Sequence, residues 1–143
     1  MIDWTNPNEK VTEHFTVRDC LMLHNWNRLA TADDGADFDK LTILCQKMEE
    51  VREILGCPVN VHCMFRSAEY NIEQKILLPT GKDVHALNLA CDFDCNATMS
   101  IDEVKAKLEP VLGQLGIRME RGTTTWCHVD LRAPGPSGSY FTP

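Results

Sequence analysis

The sequence predicts a mixed α+β domain, in which a small, mainly antiparallel sheet packs against helices. Between residues 37 and 55, apolar residues recur at helical spacing, which predicts a long amphipathic helix. The segment 59–65 instead alternates and is rich in β-branched residues, as is typical of a strand. Residues 117–120 and 126–132 flank a turn that contains Gly and Thr, so they predict a hairpin.

Several residues mark where the helices begin and end. Thr16 is a candidate N-cap for a short helix that runs toward Leu23. Gly56 ends the long helix, whose apolar face consists of Phe38, Leu41, Leu44, Cys45, Met48, Val51, Ile54 and Leu55. Ser100 and Glu103 form the pattern of a capping box at the start of a later helix. Pro110 must kink or restart that helix, because proline cannot donate to the preceding turn.

Shorter elements connect these helices. Ser67 is a candidate N-cap for a helix that ends near Lys75. Residues 78–82 have the composition of a loop, and residues 89–93 favour a strand. In that strand Asp92 and Asp94 should share one side, since side chains alternate along a strand.

Length and charge limit the classes of protein and partner. The 143 residues contain no internal repeat or dividing linker, so we expect one domain over residues 16–132. An irregular lead-in (1–15) precedes it, and a flexible tail rich in Pro, Gly and Ser (133–143) follows. The chain has 14 basic and 21 acidic residues, a net charge of −7. Nucleic acids and anionic membranes are bound through Lys and Arg clusters, so we expect neither as a partner.

The N-terminus and the cysteines indicate where the protein is made. The first residues lack the basic and apolar segments of a Sec-type signal peptide, and no apolar run approaches the roughly 20 residues that cross a bilayer. We therefore expect a protein that is cytoplasmic when made, and we expect it to be a monomer. The seven cysteines are an odd number. Cys91 and Cys95 are spaced like a pair of metal ligands, but no second pair at zinc-ligand spacing accompanies them. We interpret them as reduced, buried apolar residues.

Three separated polar residues are candidate metal ligands. His85 and Asp92 lie in one stretch, and His128 lies much later in the chain. Two imidazoles and one carboxylate form a three-ligand set that leaves a fourth position open, as in catalytic zinc sites. In the second stretch, strand alternation places Trp126, His128 and Asp130 on one face, which suggests an aromatic wall and an orienting carboxylate beside a ligand.

The motifs resemble a known family when they are taken in order. Arg66-Ser67-x3-Asn71, His85-x2-Asn88-x-Ala90-x-Asp92 and Trp126-x-His128-x-Asp130 are similar to the motifs of zinc D-alanyl-D-alanine carboxypeptidases. That family includes phage L-alanyl-D-glutamate endolysins and shares its fold with the Hedgehog signalling domain. The segment His14-Phe15-Thr16-Val17-Arg18-Asp19 also resembles the opening of its smaller members.

The resemblance implies a role for each matched residue. His85, Asp92 and His128 would bind Zn²⁺. Arg66 would pair with a substrate carboxylate or a developing oxyanion, for which its planar guanidinium is suited. A structural salt bridge is the alternative role for Arg66. Asp130 would orient or support the site rather than attack the substrate.

The sequence departs from the family pattern at several positions. Asp83 replaces a serine, Asn88 replaces a glycine and Phe65 replaces a tyrosine. Asn88 can still adopt a left-handed backbone conformation. Thr125 stands where several members have a catalytic glutamate, and threonine cannot act as a general base at neutral pH. Two residues are candidates to replace it: Glu120 on the partner strand of the hairpin, and His62.

The resemblance implies a zinc-dependent metallopeptidase that cleaves peptide bonds in peptidoglycan stem peptides. Both a carboxypeptidase and an endopeptidase fit the motifs. The apparent lack of a signal peptide favours an endolysin-like endopeptidase of a phage or prophage, released to the cell wall by a holin or carried in a virion. The alternative is a catalytically inactive, zinc-stabilised binding or virion-assembly module of the same fold, which the threonine at position 125 favours.

Overall fold

The computed structural model describes residues 1–75, 83–136 and 138–143, and its fold is the predicted mixture of helices and antiparallel strands. The loop expected at 78–82 lies outside the described residues. The helices and strands are α1 (Val17–Leu21), β1 (Met22–Leu23), β2 (Arg28–Leu29), α2 (Phe38–Leu55), β3 (Asn60–Cys63), α3 (Ala68–Glu73), β4 (Ala90–Asp94), α4 (Ile101–Leu108), α5 (Leu112–Leu115), β5 (Arg118–Glu120), β6 (Cys127–Asp130) and β7 (Tyr140–Phe141). Short 3-10 turns lie at His24–Trp26, Ala32–Asp34 and Glu109–Val111.

The main sheet has the strand order β3-β4-β6-β5-β7. All neighbouring strands are antiparallel except β5 and β7, which are parallel. The pairing of β5 with β6 confirms the predicted hairpin. Strands β1 and β2 form a separate antiparallel pair.

The two faces of this sheet have different environments. Cys91 and Phe93 of β4 and Val129 of β6 are fully buried and belong to the hydrophobic core. The core also contains the apolar face of α2, including Leu41, Leu44, Met48 and Val51. Burying one such side chain contributes about 1.5–3 kcal/mol to folding. Because side chains alternate along a strand, Asp92 and His128 lie on the opposite face.

The predicted helix boundaries agree with local hydrogen bonds. Thr16 and Asp19 cap α1 reciprocally, and the Asp37 side chain accepts from the Lys40 amide at the start of α2. Gly56 ends α2 with φ of 69°, a left-handed conformation that glycine adopts without strain. At Pro110 the chain leaves α4 through a 3-10 turn before α5 begins.

Both chain ends contribute to the packing. The lead-in has no helix or strand, as expected, but the Phe15 side chain is buried and Trp4 stacks on Phe38 with ring centroids 4.7 Å apart. Within the segment expected to be a flexible tail, Tyr140 and Phe141 form β7 beside β5. Phe141 is buried, and the burial of its ring explains why the chain returns to the sheet after a segment rich in Pro and Gly.

The cysteines and the helices have two further properties. All seven cysteines are free, and each is buried except Cys63, which is partly exposed. Burial raises the pKa of the Cys91 thiol well above its ordinary value, which suits an inert core residue.

Among the described residues, no helix has both the length and the apolar character needed to cross a membrane.

Candidate metal centre

The pairing of β4 with β6 brings two predicted ligands together. Asp92 and His128 are direct partners in the antiparallel register. His85 precedes β4 in a turn, and its side chain is buried over the same carboxylate. One potential ligand atom from each of the three residues lies within 4.8 Å of the others. The structure therefore brings the predicted trio into one cluster.

Hydrogen bonds orient the His85 imidazole. Its Nδ1 donates to the Met64 carbonyl oxygen at 2.7 Å. This bond leaves Nε2 directed toward Asp92, whose Oδ2 is 3.2 Å away. A backbone carbonyl accepts but never donates, so the bond fixes the proton on Nδ1 and leaves the Nε2 lone pair for a metal.

The His128 imidazole lies between two carboxylates. Its Nδ1 is 2.7 Å from Oδ1 of Asp92, and its Nε2 is 3.0 Å from Oδ2 of Asp130. The Asp92 carboxylate thus contacts both imidazoles, each through a different oxygen. With a metal at Nδ1 of His128, the Nε2 proton would remain on the bond to Asp130, the orienting role predicted for that residue.

Burial and charge change the pKa values of all three residues in the metal-free cluster. Burial by itself lowers the pKa of His85, but the Asp92 carboxylate and the Cys63 side chain together more than offset it and hold that pKa well above the ordinary value. For His128, burial is similarly opposed by the hydrogen bonds to Asp130 and Asp92, and its pKa is raised. Burial raises the pKa of Asp92, yet the two histidines hold it well below its usual range. Without a metal, the cluster is a network of ion pairs.

The donor set fits zinc. Zinc accepts imidazole nitrogen and carboxylate oxygen at about 2.0–2.2 Å in a tetrahedral arrangement, so ligand atoms lie about 3.4 Å apart. The spacing of the three donor atoms is compatible with that arrangement after small adjustments. A three-residue set leaves one tetrahedral position for water or substrate.

The sequence motifs did not indicate two residues that lie next to Asp130 and His128, namely Arg118 and Phe141. Arg118 on β5 forms two hydrogen bonds with the Asp130 carboxylate, at 2.8 and 2.7 Å. The Arg118 guanidinium also lies 3.9 Å from the centroid of the Phe141 ring. Phe141 in turn meets the His128 ring edge to face, with centroids 6.1 Å apart. Trp126, expected as the aromatic wall, is exposed just before β6.

Arg66 lies beside the centre, in an ion pair. Its Nη2 donates to Oδ2 of Asp83 at 3.2 Å, the salt bridge considered as its alternative role. The same Asp83 oxygen accepts from the Asn71 side chain at 2.7 Å, while Oδ1 accepts from the His85 amide at 3.1 Å. Asp83 therefore links the arginine to the backbone of a metal-ligand candidate, a role that a serine could fill only in part.

Asn88 has the left-handed conformation that the family's glycine would provide, with φ of 63°. Its side chain also connects the turn to the start of α2. The amide oxygen accepts from the Asp37 amide at 2.9 Å, and the amide nitrogen donates to the Gly35 carbonyl at 3.1 Å. The asparagine thus supplies two bonds that a glycine lacks.

The two candidates for the base and Thr125 lie in different parts of the fold. Glu120 is two residues after Arg118 on β5, so strand alternation places it on the face that carries Asp130 and His128. Burial raises the pKa of Glu120. His62 instead bonds Asp94 near the edge of the sheet at 2.5 Å. Thr125 is exposed before β6.

No protein-family model, curated protein or solved structure matches this chain in the three comparisons made. The family resemblance therefore rests on the sequence motifs alone.

Proposed function

We propose that the protein is a zinc-dependent peptidase. The observation that carries the proposal is the convergence of His85, Asp92 and His128, with donor atoms of the kinds and spacing that suit zinc. The orienting bonds to the Met64 carbonyl and to Asp130 add support, because partners of this kind are typical of metal-binding histidines.

The residues around the cluster supply the remaining functions. When bound, zinc would polarise the scissile carbonyl and lower the pKa of a coordinated water to about 7. Glu120 lies on the same sheet face and would accept a proton, and its raised pKa brings it closer to neutral pH. Arg66 would bind an oxyanion or a substrate carboxylate at the edge of the site.

The substrate class follows from the resemblance, which points to peptidoglycan stem peptides. Between the two possible reactions, we favour an endopeptidase. Asp83 offsets the charge of Arg66, which weakens the attraction of that guanidinium for the free carboxylate that a carboxypeptidase must hold. Such an enzyme would act as a phage or prophage endolysin, with a holin or a virion delivering it to the wall.

Metal content tests the cluster directly. Purified protein should hold close to one zinc, whereas His128→Ala and Asp92→Ala should hold none after dialysis. The matched control is His62→Ala, since that histidine bonds Asp94 and should leave the zinc content unchanged. Atomic emission on folded protein gives the measurement. Normal zinc content in both ligand variants would contradict the assignment.

Activity requires a separate test on purified muropeptides. Cleavage should occur, stop on addition of a chelator and return with added zinc. Mass spectrometry of the products identifies the bond, and release of terminal D-alanine alone would overturn the preference for an endopeptidase.

A zinc-stabilised binding or virion-assembly module is the second candidate. The observation that favours it is Thr125, which cannot replace a glutamate as a base. Stoichiometric zinc combined with no cleavage of either carboxypeptidase or endopeptidase substrates would favour this candidate over the enzyme.

A further inference from the structure

We propose that Arg118 and Phe141 are positioning residues that hold the His128 imidazole in the orientation needed for zinc binding, with the C-terminal strand β7 as part of the metal centre. This inference rests on the zinc site of the proposed function. It extends that site beyond the three ligands and Asp130, to residues on two further strands.

Hydrogen bonds from two arginines hold the Asp130 carboxylate in place. Its side chain is fully buried, so the carboxylate needs several partners. Arg118 supplies two parallel bonds, at 2.8 and 2.7 Å, and the Arg132 amide supplies another at 3.1 Å. A bidentate pair fixes both the position and the plane of the carboxylate. The oxygen that faces Nε2 of His128 is thereby held in place.

Phe141 covers this arrangement. Phe141 pairs with Glu120 across the parallel β5–β7 register, which places its ring over the face that carries Arg118. The centroid of the ring lies 3.9 Å from the guanidinium carbon of Arg118 and 6.1 Å from the centroid of the His128 ring, in an edge-to-face arrangement. An arginine stacked on an aromatic ring in a place shielded from water forms stronger bonds to its carboxylate. One aromatic side chain thus restrains both ends of the His128–Asp130–Arg118 chain.

The consequence concerns the geometry of one ligand. His128 can present Nδ1 to a metal only if its ring plane is fixed, and the bond from Nε2 to Asp130 fixes it. If Arg118 or Phe141 is lost, the Asp130 carboxylate gains freedom to rotate and His128 loses its orientation. His85 keeps its bond to the Met64 carbonyl, which involves neither Arg118 nor Phe141.

A second arginine–aromatic pair, at the end of β5 and in β7, provides a control. Arg121 follows β5, and its guanidinium lies 3.9 Å from the Tyr140 ring centroid. Its Nε also donates to the Tyr140 carbonyl at 3.2 Å. This arginine–aromatic pair resembles the first in chemistry but forms no contact with His128 or Asp130 in the described residues. Changes here report on the stability of β7 without altering the support of the ligand.

The experiment compares zinc affinity in Arg118→Met and Phe141→Ala with that in Arg121→Met and Tyr140→Ala. Competition with a chromogenic chelator measures the dissociation constant. Loss of a supporting partner of a metal ligand typically costs 10–100-fold in affinity, so we expect a loss of about that size in the first pair. We expect less than about a threefold change in the second pair. Equal affinities in the two pairs would overturn the proposal.

A spectroscopic measurement separates positioning from general stability. In zinc-loaded wild type, the His128 Nε2 proton should give a slowly exchanging NMR signal, because Asp130 accepts it in a buried place. The signal should broaden in Arg118→Lys and Phe141→Leu, which keep charge or bulk and favour a folded chain. A sharp, unchanged signal in these folded variants would refute the role even if affinity fell.

Zinc binding by wild type separates a failure of the proposed function from a failure of the positioning role. If wild type binds no zinc, the proposed function fails and this inference fails with it. If wild type binds zinc and all four variants match it, only the positioning role is wrong. Binding by wild type and selective weakening in Arg118→Met and Phe141→Ala supports both, whether or not peptide cleavage is found.

Discussion

At the scale of single residues, the two histidines of the cluster are supported by different partners. His85 donates to a neutral backbone carbonyl, whereas His128 is backed by the Asp130 carboxylate. A carboxylate partner increases the electron density of the imidazole more than a carbonyl does, so His128 should be the stronger donor to a metal. Loss of the Asp130–Arg118 support should therefore affect binding more than small changes near Met64.

Glu120 provides a test of the general base. Glu120→Gln keeps the size and hydrogen-bonding capacity of the side chain but removes its ability to accept a proton. General-base catalysis contributes about 10²–10⁴-fold, so we expect kcat on a cleaved muropeptide to fall by about that factor. Zinc content should stay at the wild-type level, because Glu120 is not among the clustered ligands.

The control for this variant is Glu109→Gln, an exposed carboxylate in the turn between α4 and α5. Its activity should equal that of wild type. If Glu120→Gln also retains full activity, another group is the base. Thr125→Glu, which restores the family's residue, would then show whether that position can supply one.

The three candidate metal ligands and the supporting Asp130 could be predicted from the sequence, but Arg118 and Phe141 could not. His85, Asp92 and His128 have motif spacing, and strand alternation fixes the face on which the last two lie. In the chain, the turn of the hairpin separates Arg118 from Asp130, and the Pro/Gly-rich part of the tail separates Asp130 from Phe141. No local spacing encodes such contacts, since they depend on which strands become neighbours.

At the scale of elements, the caps explain why the helices were predictable. Thr16, Asp37, Ser67 and Ser100 each accept a hydrogen bond from a backbone amide in the first turn of a helix, a local interaction. Strands β1, β2 and β7 have two residues each, which is too few to show an alternating pattern. Burial of Phe141, rather than any signal in the tail, places the last strand.

Asn88 connects two elements, the turn that carries His85 and the N-terminus of α2. Asn88→Ala would remove the bonds to Asp37 and Gly35, each contributing about 1 kcal/mol, and would strain a left-handed position by about 1–2 kcal/mol. We expect the free energy of unfolding, measured in urea, to fall by about 3 kcal/mol. Asn88→Gly keeps the backbone conformation and should lose less.

A comparison of the two variants identifies the cause. If Asn88→Ala and Asn88→Gly are equally destabilising, the left-handed backbone adds no strain at this position. If neither variant is destabilised, the two side-chain bonds contribute nothing to stability.

At the scale of the whole molecule, the charges of the cluster link the stability of the fold to pH. In the metal-free protein the pKa values of His85 and His128 are raised and that of Asp92 is lowered, because the three form ion pairs. The histidines' contribution to stability is fully present below their unfolded pKa of about 6.5 and is lost as pH rises through the raised folded values. The Asp92 contribution is present above its unfolded pKa of about 3.9 and is lost as pH falls further.

Zinc should compensate for the stability that the metal-free protein loses as pH rises. A metal binds the neutral imidazole, so protons compete with zinc below the raised pKa values, and affinity increases as those protons leave. We therefore expect the melting temperature of the chelator-treated protein to fall between pH 6.5 and pH 9, and the increase in melting temperature on adding zinc to grow over the same range. Asp92→Asn provides the control: it removes the carboxylate from the ion pairs and from the ligand set, so both trends should flatten. A zinc-induced stabilisation that is constant with pH would show that the histidines are not the groups that bind the metal.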